Sequence, residues 1–186
     1  MGSSPTFGTL TLRVSSVLPP NYSFWRQQAL DIFAQKRSQY GESWKELSLP
    51  SLIDMLHIKA SRIRTLLTES REPATGEAIL HDWLALANYS ALALTKLRGI
   101  SPDKALSDIY TEAQTLLIKK NLDYGDAWQD MRPLTFIEFI LMKLARLKQM
   151  DMNPQQYATS IADNLFDIMN YALLYLSRYG SSFITS

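Results

Sequence analysis

Apolar positions recur along this chain every three to four residues, the period of helices buried along one face. Positions 52, 53, 56, 60, 63 and 67 carry Leu, Ile, Leu, Ala, Ile and Leu. They predict a helix over 52–67 with a single apolar face. The same spacing predicts a helix over 23–40, with Trp25, Ala29, Ile32, Phe33 and Lys36 on neighbouring turns and Gly41 as its stop. A third helix covers 75–97 and ends at Gly99. Ser101-Pro102 reads as an N-cap followed by a first-turn proline, opening a helix to Tyr124 that Gly125 stops. Thr135 opens a fifth helix to Met150, and Asn153-Pro154 a sixth to Arg178, with Gly180 beyond. Glycine and proline fall between the elements, as breakers do. No strand-period segment of useful length interrupts the body of the chain.

The pattern occurs twice. Lys36-Arg37-Ser38-Gln39-Tyr40-Gly41-Glu42-Ser43-Trp44 returns as Lys120-Asn121-Leu122-Asp123-Tyr124-Gly125-Asp126-Ala127-Trp128, an offset of 84 residues (124 − 40). Ser51 then matches Thr135, Asp54 matches Glu138, Lys59 matches Lys143 and Arg62 matches Arg146. Asn88-Tyr89 returns as Asn170-Tyr171 at an offset of 82 (170 − 88), so two residues are lost in the intervening loop. A repeat of this length sets the architecture. The expectation is an all-α helical bundle of about six helices, built from two tandem three-helix repeats with pseudo-twofold symmetry. The first repeat spans 21–99 and the second 100–180. Residues 1–20 read as a flexible tail with a strand-like stretch at 10–14, and 181–186 as a short tail. Two repeats can complete a four-helix core within one chain, so a homodimer is compatible but not required.

Composition narrows the function classes. At 186 residues the chain is long enough for one well-buried core. Its 19 basic and 18 acidic residues give a net charge of +1, no footprint for nucleic acid or an anionic membrane. Without cysteine there is neither a disulfide nor a thiolate metal site. His57 and His81 are the only histidines, too few for a histidine-rich metal centre. No apolar run approaches the roughly 20 residues that span a bilayer. The first 20 residues, with Arg13, fit a signal peptide poorly. The expected location is the cytoplasm.

Three elements could carry chemistry, mostly in the second repeat. In Lys120-x-x-Asp123-Tyr124-Gly125-Asp126-x-Trp128, a lysine and two carboxylates gather at a helix end. Carboxylate oxygens suit Mg²⁺, a lysine suits phosphate, and Tyr124 or Trp128 could stack on a base. The structural alternative has the aromatics anchor the loop and Gly125 cap the helix. Lys143-x-x-Arg146, matched by Lys59-x-x-Arg62, puts two cations on one helical face that also carries apolar residues, so they point inward or along a groove. Such cations need partners, either a polyphosphate or acids of the last helix. Asp54 and Glu138 follow Ser51 and Thr135 by three residues and read mainly as capping boxes. In Asp163-x-x-x-Asp167-x-x-Asn170-Tyr171, two acids share one face of an apolar helix. A metal or the Lys143/Arg146 pair would have to sit between them. The first repeat has His81, Ala85 and Gln39 where the second has Asp163, Asp167 and Asp123, so it keeps the cations and loses the acids.

These blocks resemble the nucleotide-modification-associated domain type 1, well over 105–178 and more weakly over 22–98. More distantly, Asp163 to Tyr171 looks like the acidic helix of the MazG and dimeric dUTPase group of all-α nucleoside triphosphate pyrophosphohydrolases. Lys143-x-x-Arg146 stands where that group has Glu-x-x-Glu. The resemblance implies a nucleotide or nucleoside triphosphate as ligand, Mg²⁺ as cofactor, and hydrolysis of the triphosphate to monophosphate and pyrophosphate. Asp123, Asp126, Asp163 and Asp167 would hold the metal. Lys120, Lys143 and Arg146 would neutralise phosphate charge, with Tyr124, Trp128, Asn170 and Tyr171 around the substrate. The other reading is a binding or assembly module without catalysis, in which Lys/Arg–Asp salt bridges replace the metal.

Overall fold

A computed structural model describes residues 18–70, 73–74, 78–150 and 153–183. Its helices are α1 (Tyr22–Tyr40), α2 (Leu49–Glu69), α3 (Ile79–Arg98), α4 (Pro102–Tyr124), α5 (Pro133–Gln149) and α6 (Pro154–Tyr179). Short 3-10 turns cover Ser43–Glu46, Ala127–Asp130 and Gly180–Phe183. Among the described residues there is no strand. None of the described helices is long and apolar enough to cross a membrane. The strand-like reading of 10–14 and the predicted start of α3 at Thr75 lie outside the described residues.

Helices α2, α3, α5 and α6 pack in a closed ring, with α3 against α6, α2 against α3, α5 against α6 and α2 against α5. This is a four-helix bundle assembled from two helices of each repeat. Helices α1 and α4 both lie over α3 and α6. The apolar face of α2 explains its place, for Leu52, Ile53, Leu56, Ala60, Ile63 and Leu66 are all buried. Each large side chain of this kind contributes about 1.5–3 kcal/mol when fully removed from water. Trp83 of α3 stacks on Tyr175 of α6 with ring centroids 3.8 Å apart and planes 12° from parallel. That contact joins the two repeats at the centre of the core.

The repeats also exchange a hydrogen-bond pattern. The Tyr22 hydroxyl donates to Asn170 Oδ1 at 2.7 Å, and Asn170 Nδ2 donates to the Ala113 carbonyl at 2.9 Å. The Tyr110 hydroxyl donates to Asn88 Oδ1 at 2.8 Å, and Asn88 Nδ2 donates to the Ala29 carbonyl at 2.8 Å. Each asparagine thus binds a first helix of its own repeat and a tyrosine of the other. All four polar side chains are buried, and each finds the partner that burial demands.

Two helix starts differ from the sequence reading. Ser48, not Ser51, is the N-cap of α2, and its hydroxyl accepts from the Ser51 amide at 3.2 Å. Helix α5 begins at Pro133, so Thr135 already lies inside it. A proline in the first turn of each helix moves the start upstream. Neither Asp54 nor Glu138 then sits in a capping box. Asp54 instead meets Lys148 of α5 at 3.3 Å across an exposed surface.

Candidate functional site

The second repeat gathers charged side chains where its three helices meet, and the first repeat is arranged differently. In the second repeat, Asp167 of α6 is central. Its Oδ1 bonds Lys120 of α4, and its Oδ2 bonds Lys143 of α5 at 2.7 Å. The Asp167 and Lys143 side chains keep only 14% and 15% of their exposure, whereas Lys120 keeps 51%. Tyr171 follows one turn on, its ring edge-on to Phe139 at 5.5 Å. Burial raises the Tyr171 phenol above its ordinary value, and the neighbouring Asp167 carboxylate pushes the same way.

The other residues singled out in the sequence are dispersed. Asp123, Asp126 and Asp163 are exposed, and so is Arg146. The cations gathered on the acid are therefore Lys120 and Lys143, from different helices, and not the Lys143/Arg146 pair. Spacing places Arg146 on the face of Lys143, pointing inward or along a groove, and the structure leaves it exposed because the buried part of that face is narrow. Tyr124 is 75% exposed, whereas Trp128 is half-buried and packs against the core. Asn170 is a core residue, held between Tyr22 and Ala113. Gly125 caps α4 with its amide on the Asn121 carbonyl at 2.8 Å, and Gly41 caps α1 on Arg37 at 2.9 Å. Both glycines adopt φ near +60° with ψ near −145° (φ 65°, ψ −142° for Gly41; φ 61°, ψ −145° for Gly125). Side chains rarely tolerate that conformation, which accounts for glycine at this place in both motifs.

The arrangement around Asp167 does not suit a Mg²⁺ ion. Among the described residues no three His, Asp or Glu side chains gather as metal ligands. Both oxygens of Asp167 are already bonded to ammonium groups, which repel a divalent cation.

The first repeat keeps an acid that the sequence reading missed. Asp82 of α3 is wholly buried. Its Oδ1 meets Lys59 at 2.9 Å, and its Oδ2 bonds Arg62. Asp82 aligns with Asn164, not with Asp163 or Asp167, so a register comparison passes over it. The available signal was its isolation, for it is the only acid between Ala78 and Arg98, opposite two inward cations.

The first repeat also opens into a cavity of about 540 Å³, within the size range of small-molecule sites. Phe33 and Lys36 of α1, Trp44 of the following turn, and His81, Ala85 and Tyr89 of α3 line it. Arg37 stands at the same wall and is engaged by Asp103 at 2.6 Å and Glu42 at 3.5 Å. No Asp or Glu is among the lining residues. The corresponding positions of the second repeat carry Asp123, Asp163 and Asp167. The same fold thus presents a cationic, aromatic cavity in one repeat and an acidic face in the other. Lys96 donates to the Lys45 carbonyl at 3.0 Å, and Tyr179 donates to the Met131 carbonyl at 2.9 Å, so α3 and α6 each fix the turn that carries a tryptophan.

Searches of curated proteins and of solved structures return no match. Residues 36–97 and 120–178, together more than half of the chain, match the nucleotide modification associated domain 1, and the protein belongs to that family in two successive segments.

Proposed function

We propose that this protein binds a nucleotide in the cavity of its first repeat and does not hydrolyse it. The observation that carries this reading is the character of that cavity. Lys36, Arg37 and His81 stand with Phe33, Trp44 and Tyr89 around a space with no carboxylate in its wall. Cations recognise phosphate, and aromatic faces stack on bases of any sequence. The family description, which links the domain to nucleotide modification, points the same way. Hydrolysis through Mg²⁺ would need carboxylates free to hold the metal. Asp167 is bonded to two lysines and Asp82 to a lysine and an arginine, which favours binding over turnover. A cytoplasmic location goes with this reading, because that is where free nucleotides are found.

The test is calorimetric titration with the ribo- and deoxyribonucleotides in the presence of chelator, alongside a pyrophosphate-release assay with Mg²⁺. Binding in chelator with no release is expected. Mg²⁺-dependent release that disappears in Asp167→Ala would replace this reading with the hydrolytic one, with the acids of the second repeat at its centre.

A further inference from the structure

The two repeats answer the same question differently at one position. Ala85 occupies the register of Asp167, and Lys36 that of Lys120. In the second repeat the Asp167 carboxylate bridges Lys120 and Lys143. In the first, Lys59 stands at the register of Lys143 and is engaged by Asp82, three residues before Ala85. Lys36 has no ion-pair partner among the described residues. It lines the cavity together with Ala85, so the place of a carboxylate is taken by a methyl group and open space.

We propose that an anionic group of the ligand occupies the place over Ala85 that the Asp167 carboxylate takes in the second repeat, bound by Lys36. The ligand class that fits is a nucleoside monophosphate. This rests on the nucleotide reading above and adds the position and number of phosphates. Lys36 and His81 line the cavity with Ala85, and Arg37, the other basic residue in its wall, is already held by Asp103 and Glu42. That supply suits one phosphate, with about −1.5 to −2 charges at neutral pH, and not the three phosphates of a triphosphate. The base then lies among Phe33, Trp44 and Tyr89, where stacking contributes without regard to base identity.

The full chain is titrated in chelator with the nucleoside 5′-monophosphates, the matching uncharged nucleosides and triphosphates, and indole-3-acetate as an aromatic carboxylate that is not a nucleotide. A monophosphate is expected to bind at least tenfold more tightly than its nucleoside. Ala85→Asp places a carboxylate where Asp167 has one. It should lower monophosphate affinity at least tenfold while the melting temperature stays equal or rises. Lys36→Gln, at an exposed position, should lower affinity similarly and guards against a folding defect in the first variant. Monophosphate binding unchanged in both variants overturns the site and leaves the nucleotide reading standing. Tighter binding of the triphosphate overturns the monophosphate assignment. Binding of indole-3-acetate alone, lost in both variants, keeps the anion site and overturns the nucleotide reading. No binding of any probe overturns both.

Discussion

Replacing Asp82 by alanine should be among the most damaging single changes in this chain. The carboxylate is wholly buried and serves Lys59 and Arg62 at once. Removing one partner of a buried pair costs about 3–5 kcal/mol, because the remaining charge keeps its desolvation penalty and loses its attraction. Lys59 and Arg62 retain 22% and 24% exposure, so their heads can turn partly toward water. That places the cost near the lower end, about 3 kcal/mol. Asp82 also lies in the first turn of α3, where a negative charge is stabilised by the helix dipole by about 0.3–1 kcal/mol. For a domain of this size the sum corresponds to a fall in melting temperature of about 6–15 °C. Urea unfolding followed by circular dichroism measures it directly. A second variant separates charge from shape: Asp82→Leu with Lys59→Met and Arg62→Met should recover most of the loss, since apolar substitutes for a whole buried ion cluster are often neutral. A cost below about 1 kcal/mol for Asp82→Ala would refute the argument, because it would mean the pair is solvated as a surface pair is.

Asn170→Ala removes the acceptor of Tyr22 and the donor to Ala113; it should cost about 2–4 kcal/mol in urea unfolding, from two buried groups left unsatisfied. Gly180→Ala would put a methyl carbon 2.3 Å from the Trp25 ring; the expected loss is about 1–3 kcal/mol, read as a lower melting temperature and altered tryptophan fluorescence, and an unchanged melt would contradict the contact. Burial raises the phenols of Tyr22 and Tyr110, and pushes Tyr175 up to about 12. A raised folded-state value means this stability is complete below the unfolded value, about 10, and is lost as pH rises from there through 12. Absorbance at alkaline pH should accordingly show late tyrosine ionisation coinciding with loss of helix, and early ionisation of every tyrosine would refute it.

The fold was legible because helical period and breakers agree along most of the chain. The face of 52, 53, 56, 60 and 63 is buried as read, with Leu66 taking the place expected of Leu67. Helix ends drifted by a few residues where a proline decides the first turn, as at Pro50 and Pro133. The glycines of the repeated motif read correctly as caps. The site was less legible for two physical reasons. Spacing tells which side chains share a face, but not how wide the buried part of that face is, so it does not separate the largely buried Lys143 from the exposed Arg146. Register comparison finds substitutions and is blind to a function moved along a helix. Asp82 does the work expected of a residue aligned with Asp167, from one turn away.

That displacement links the ion pair to the cavity. In both repeats an acid of the third helix meets the lysine at the same register of the second, Lys59 or Lys143. From position 167 the carboxylate also reaches Lys120 of the first helix and fills the space between. From position 82 it is fully buried and meets Arg62 instead, which leaves Lys36 facing open space. One shift of three residues therefore yields both a deeper ion pair and an empty site. The reverse shift is a direct check. Asp82→Asn combined with Ala85→Asp restores the arrangement of the second repeat, where Asn164 and Asp167 hold those registers. The double variant should melt closer to the natural protein than Asp82→Asn alone does, since the transplanted carboxylate again serves Lys59 and gains Lys36. A double variant no more stable than Asp82→Asn alone would show that position 85 cannot reach Lys59, and that the two repeats hold their acids by unrelated geometry.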